Sequence, residues 1–191
     1  MTDKPKSLNV TMLRADLANI AAYSLPRPFT FRWYHRGDEE TWLRIWTLAD
    51  AERHAAGPDT FARDFGSDEE LLSKRQLYIC DAHGLPIGTA SAWFRANYHG
   101  KDYGLVHWVA IVPEFQGKGL SKPLISKVLI RLAGLGHERS MLVTQDYRTP
   151  AIKLYLKFGF LPELGNDDER AKWRGVRDRI GPSPLDSLNL G

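Results

Sequence analysis

Cysteine is nearly missing from this chain: 191 residues hold one, Cys80, so no internal disulfide can form. Histidines are few as well. The six, at positions 35, 54, 83, 99, 107 and 137, never fall at metal-ligand spacing, and no metal is expected. No apolar run approaches the length needed to span a membrane. The opening residues, MTDKPKSLNVTMLRADLANIAAY, show no basic stretch leading into an apolar core and a small-residue cleavage site, so no secretory signal is read and a cytoplasmic protein is the expectation. Charge of one sign is scarce too. Against 23 Asp and Glu stand 26 Lys and Arg, scattered rather than massed, and a net charge of +3 in that form disfavours a nucleic-acid partner.

What is present suits one folded unit, since 43% hydrophobic and 26% charged residues are the balance of a soluble globular domain and the length is short for two. Residues 1–28 carry Pro26 and Pro28 and a weak helical pattern at Leu13, Leu17 and Ile20; they read as an arm packed on the domain. FTFRWY (29–34) alternates like a strand, and Asp38 is placed to cap a helix that continues through Trp42, Ile45 and Trp46. Residues 52–73 are polar around Phe61 and Phe65 and predict one or two short helices, a place for a substrate lid or simply surface helices. QLYIC (76–80) and PIGTASAWF (86–94) predict a hairpin. Cys80 inside it reads as a small buried hydrophobe, because no strand-to-helix elbow follows it. A polar loop is expected over 95–102.

The stretch from Leu105 to Leu135 organises the rest. LVHWVAIV reads as a central strand with Leu105, His107, Val109 and Ile111 on one face and Val106, Trp108, Ala110 and Val112 on the other. After it, Gln116-Gly117-Lys118-Gly119-Leu120-Ser121 leads into a helix with Leu124, Ile125, Val128, Leu129, Leu132 and Leu135 on one stripe. A helix entered through glycine presents unpaired N–H groups at its positive end, which favours an anion such as a phosphate. The turn is neither a P-loop, lacking Gly-Lys-Ser/Thr, nor GxGxxG. Beyond it come a strand at 141–144, a helix opened by Thr149 and Pro150 and closed before Gly159, and a last strand near Phe160 to Glu163. A helix capped by Asn166 follows, then a frayed tail from Pro182. Hairpins first and helices interleaved later give an α+β fold.

The turn resembles the Q/R-x-x-G-x-G/A signature of the GNAT acetyltransferase superfamily. Ala151-Ile152-Lys153-Leu154-Tyr155-Leu156-Lys157-Phe158-Gly159-Phe160 resembles that family's closing A-x-x-x-Y-x-x-x-G-F segment, and the resemblance covers Leu105 to Phe160. It implies a mixed, splayed central sheet flanked by helices on both faces, within an acetyltransferase domain over 29–165 that has a C-terminal helix and tail at 166–191. It also implies acetyl-CoA as acyl donor, with Val109, Ala110 and Ile111 along its pantetheine arm and Gln116, Gly117, Lys118, Gly119, Leu120, Ser121 and Lys122 around its pyrophosphate. Tyr155 matches the family's general-acid tyrosine, and the N–H of Ile111 is a candidate oxyanion donor. His107 is the candidate base, a histidine being expected to titrate near neutrality. Ser121 departs from the usual Gly or Ala. Arg148 departs from the usual Asn, and whether it reaches a phosphate or a surface ion pair is left open. The implied reaction is N-acetylation of a primary amine. A catalytically silent acetyl-CoA sensor or scaffold and the transfer of another acyl group stay open beside it. The acceptor is not legible: Trp33, Trp42, Trp46, Trp93 and Phe94 are candidates for an aromatic pocket, and Glu39 and Glu40 for attracting a cationic amine. No membrane partner is expected, and a homodimer is left open.

Overall fold

The computed structural model of the chain describes residues 7–51, 56–181 and 183–190. In chain order its elements are β1 (Asn9–Arg14), β2 (Thr30–Trp33), α1 (Asp38–Ala49), α2 (Thr60–Phe65), α3 (Glu69–Arg75), β3 (Gln76–Cys80), β4 (Pro86–Tyr98), β5 (Lys101–Ile111), α4 (Ser121–Gly134), β6 (Ser140–Gln145), α5 (Thr149–Lys157), β7 (Leu161–Pro162) and α6 (Asp167–Ile180). Short 3-10 turns lie at Pro113–Phe115 and Pro184–Ser187. The strands form one 7-stranded sheet in the order β2-β3-β4-β5-β6-β1-β7.

Neighbouring strands are antiparallel everywhere except between β5 and β6. Those two pair only at Gly104 with Ser140 and Leu105 with Met141. Beyond Leu105 they part, β5 running on to Ile111 and β6 to Gln145, so the sheet is mixed and splayed as expected. Helices cover both faces. A Cβ on Gly104 would lie 2.9 Å from a Leu132 methyl, which puts α4 against the Gly104 and Val106 face. On the other face, the Trp42 and Trp46 rings of α1 meet Trp108 at 5.0 and 4.6 Å, and Phe65 of α2 meets Trp93 at 5.1 Å.

Four expectations need correction. Residues 9–14 are no arm with a helical pattern but an inner strand: NVTMLR alternates, Val10 and Met12 are fully buried, and β1 pairs with both β6 and β7. The Arg14 guanidinium then donates to the carbonyls of Asp16, Ala18 and Phe158, pinning the chain as it leaves the sheet. The polar loop at 95–102 is instead a continuous hairpin, with Tyr98 opposite Lys101 and a turn at His99 and Gly100, both at positive φ. The tail beyond Pro182 is not frayed over 183–190, since Leu185 and Leu190 are buried and Arg170 and Arg174 donate to the carbonyls of Asn189 and Leu190. Asp38 does not cap α1. It is the first helical residue, behind Gly37, and its buried carboxylate accepts both Arg32 terminal nitrogens at 2.6 and 2.7 Å and the His35 N–H at 2.7 Å.

A fifth difference bears on function. Between Thr89 and Ser91 of β4 there are two residue steps, while their partners on β5, Ala110 and His107, are three apart. The extra residue is a β-bulge at Trp108, whose φ is +48°. A left-handed backbone costs a non-glycine residue roughly 1–2 kcal/mol. Here the cost is offset by the ring contacts to Trp42 and Trp46 and by a 2.7 Å hydrogen bond from Trp108 Nε1 to Asp64. The bulge breaks the expected alternation and turns Trp108 to the same side as His107, their rings 5.8 Å apart.

Candidate active site

Where β5 and β6 part, the sheet encloses a cavity of about 620 Å³. Its walls are Leu105 to Val109 of β5, Trp93 to Arg95 and Tyr98 of β4, Asn9 and Thr11 of β1, Met141 and Val143 to Gln145 of β6, and Arg148, Ala151 and Tyr155 at α5, with Trp46 and Asp64 above. Because β6 has left, Val106 to Ile111 present an edge with no strand partner on that side.

At the end of β5 the chain passes a 3-10 turn and enters α4 through Gly117 (φ +75°) and Gly119 (φ +77°). Those angles favour glycine, and a Cβ at either would meet no protein atom within 4 Å, so the space above the turn is open. Among the described residues, no acceptor is found for the backbone N–H groups of Gly117 to Lys122, the orphan donors that a helix N-terminus leaves. Gln116 plays another part. Its N–H donates to the Pro113 carbonyl at 3.1 Å and its side-chain nitrogen to the Ile111 carbonyl at 2.9 Å, so this glutamine staples the turn to the strand. Leu120 is buried, and only its main chain can serve a ligand. The Lys118 and Lys122 ammonium groups flank the turn, 4.5 Å above the Phe115 ring and 5.4 Å from the Tyr23 ring.

Tyr155 lies on the inner face of α5, 7% exposed, its ring against Phe160 at 6.2 Å. Buried Tyr34, Tyr78 and half-buried Tyr98 donate their hydroxyls to Glu39, the Asp38 carbonyl and Glu163. The Tyr155 hydroxyl has no hydrogen-bond partner among the described residues. Burial pushes its pKa up to about 12, with the nearby Arg148 guanidinium pulling the other way. Arg148 itself is no phosphate ligand in this arrangement: it pairs with Asp50 at 3.0 Å, tying the end of α1 to the start of α5.

His107 lines the same cavity, 5.7 Å from the Phe65 ring. Titration near neutrality is corrected, because burial pushes its pKa down to about 4, opposed only by Asp64. The sign fixes a stability prediction. A histidine held neutral in the fold but free to protonate near ~6.5 when unfolded leaves stability intact above pH ~6.5 and removes up to about 3 kcal/mol as pH falls towards 4. Urea melts from pH 7 to 4 should show that loss, and His107→Phe should flatten it, leaving the smaller slope of His137, also depressed by burial and by Arg75. An unchanged slope in the variant would mean that His107 is not held neutral.

The expected acceptor pocket is partly rearranged. Trp46, Trp93 and Phe94 reach the cavity, whereas Trp33 and the fully buried Trp42 do not line it, and neither do Glu39 and Glu40. Trp108, Asp64, Arg95 and Tyr98 were not singled out from sequence. Asp64 carried the one usable signal, an acid between the two buried phenylalanines of TFARDF. Among the described residues, no group of three or more His, Cys, Asp or Glu is placed to hold a metal ion.

The sequence profile of the acetyltransferase (GNAT) family matches residues 24–160, most of the chain, from β2 through β6 and α5 with the parting of β5 and β6 and the cradle, leaving out β1 and β7. The chain belongs to the GNAT acetyltransferase family. This GNAT chain is similar to a mycothiol acetyltransferase of Pseudarthrobacter chlorophenolicus, 33% identical over 159 residues that cover 80% of the chain and 48% of the relative. Among solved structures it is similar to a GCN5-related N-acetyltransferase from Sphaerobacter thermophilus, with TM-score 0.68, 20% identity, and coverage of 84% of this chain and 50% of that one. It is also similar to the ribosomal-protein-S18-alanine N-acetyltransferase of Escherichia coli, with TM-score 0.57, 19% identity, and coverage of 70% and 77%. The GNAT chain spans about half the length of the curated mycothiol acetyltransferases it matches. No helix among its described residues is long and apolar enough to cross a membrane.

Proposed function

We propose that this chain transfers the acetyl group of acetyl-CoA directly to a primary amine. The observation that carries the reading is the Tyr155 hydroxyl, without a partner among the described residues, in a cavity walled by the same β5 edge that leads on to the helix N-terminus and its free donors. A hydroxyl that lines a cavity and is not engaged by the described residues is free to give its hydrogen bond to a ligand.

The donor supplies a thioester. In the transfer its carbon–sulfur bond breaks, a nitrogen–carbon bond forms, and an ammonium acceptor releases one proton overall. The N–H groups of Gly117 to Lys122 hold the pyrophosphate, with Lys118 and Lys122 adding charge. The free edge of Val109 to Ile111 pairs with the pantetheine amides as an added strand would, and the Ile111 N–H faces the developing oxyanion. Tyr155 donates a hydrogen bond to the departing sulfur. With its pKa near 12 the phenol is roughly three to four pH units less acidic than a thiol near ~8.5, so it stabilises the thiolate while the proton balance closes through the amine. Neutral His107 accepts that amine proton in passing, toward solvent, without keeping it. A cytoplasmic setting belongs to the same proposal.

Thermal denaturation with and without acetyl-CoA, followed by thiol release against a panel of amines, tests the reading. A raised melting temperature and amine-dependent thiol release support it; a ligand that binds only the native state must stabilise it. A shift without thiol release for any amine would point instead to a sensor.

A further inference from the structure

The amine must reach the acetyl group from the side of the cavity away from the cradle, and there the lining carries, among the described residues, a single carboxylate, Asp64. It stands in the last turn of α2, with its side chain 19% exposed. One oxygen accepts Trp108 Nε1 at 2.7 Å, and the other accepts Arg63 Nε at 2.9 Å. Arg63 is 64% exposed and its charge is largely screened by water, so the carboxylate keeps a net negative field directed into the cavity. Around it stand the indoles of Trp46, Trp93 and Trp108, whose ring faces attract cations. The Trp108 bulge is what brings this carboxylate and the β5 edge together: the strained residue both donates to Asp64 and walls the cavity. Strain held at such a place is a mark of a working site.

We infer that Asp64 is the acceptor's binding carboxylate and that the acceptor is an aliphatic amine captured as its ammonium ion, between Asp64 and the indole faces and next to His107. The inference rests on the acetyl-transfer reading and deepens it by naming the class of acceptor. A neutral aromatic amine or an alcohol of the same shape can offer this carboxylate only a hydrogen bond, without the charge attraction. An aliphatic ammonium adds, on the cavity side, a counter-charge to a mostly buried carboxylate whose ion pair with Arg63 faces water.

The test uses the full chain and needs no turnover. In ¹H–¹⁵N spectra at pH 7, the His107 imidazole signals are followed while n-butylammonium chloride is added, at constant ionic strength, to wild type and to Asp64→Asn. The parallel titration uses butan-1-ol, the same shape without the charge. A saturable shift with butylammonium, at least tenfold weaker in Asp64→Asn and absent with butan-1-ol, supports the inference. Equal response to the alcohol, no response to the ammonium, or an unaltered affinity in the variant would overturn it. Should Asp64→Asn fail to give a folded spectrum, the contrast between the two ligands on wild type still decides. Acetyl-CoA is titrated separately against the amides of residues 117–122: silence there overturns the transfer reading itself, whatever the amine result.

Discussion

Tyr155→Phe should lower turnover by a factor on the order of 10² to 10⁴ while leaving the affinity for acetyl-CoA within about twofold of wild type. The size follows from what the substitution removes. The ring stays, with its contact to Phe160, and only the hydroxyl of this cavity-lining side chain is lost. That hydroxyl has no partner among the described residues, so its removal strands no acceptor and should leave stability within about 0.5 kcal/mol. Most buried tyrosines behave otherwise, each giving up roughly 1 kcal/mol with its hydrogen bond. The combination of a slow enzyme, an intact fold and an intact donor affinity separates a hydrogen bond to the leaving sulfur from packing. Steady-state kinetics beside urea melts measure all three, and wild-type turnover in the variant would reduce Tyr155 to a core residue.

Gly119→Val should have the complementary effect, weakening acetyl-CoA binding at least tenfold with little change in turnover at saturation. Position 119 sits at φ +77°, where a β-branched residue is a steric outlier, so the variant must swing the turn out of its left-handed conformation. The N–H groups then no longer converge on one point. The fold itself is not jammed, since the added side chain meets no protein atom within 4 Å of its Cβ. The expected stability loss is therefore only about 1–2 kcal/mol, the cost of the backbone alone. Gly134→Ala is the control. It lies in the last turn of the same helix, also with no atom near its Cβ but without a positive φ, and should raise stability by up to about 1 kcal/mol without touching affinity. Calorimetric titration of both variants with acetyl-CoA gives the comparison, and equal affinities would remove the cradle from the account.

Much of this was legible because it is local. Two glycines, one and three residues after a glutamine and followed by an amphipathic stripe, dictate a turn into a helix, and the stripe of α4 is buried as expected at Leu124, Ile125, Val128, Leu129 and Leu132. Asn166 caps α6 at 2.9 Å for the same local reason, its side chain being the nearest acceptor for the Glu169 N–H. The Gln76–Cys80 and Pro86 strands pair across the Gly84 turn that their alternation predicts. What escaped was set by tertiary contact. Six residues of β1 carry only two fully buried positions, too few to outweigh the helical spacing of Leu13, Leu17 and Ile20. Nothing local tells a tryptophan to adopt φ +48°; the bulge at Trp108 exists because Trp42, Trp46 and Asp64 hold it from other elements. The depressed basicity of His107 comes from the helices packed above it, and the identity of the acidic group in the cavity depends on how α2 is set down. The donor side of the site is written in sequence order, whereas the acceptor side is assembled by packing.

Hydrogen exchange at individual amides, with and without saturating acetyl-CoA, is the most direct test that main-chain groups at a helix start and a vacant strand edge together bind the donor. The account predicts slowed exchange concentrated in residues 117–122 and 106–111, with β2 and α6 unchanged. Protection spread evenly over the chain, or confined to segments outside those two, would contradict it.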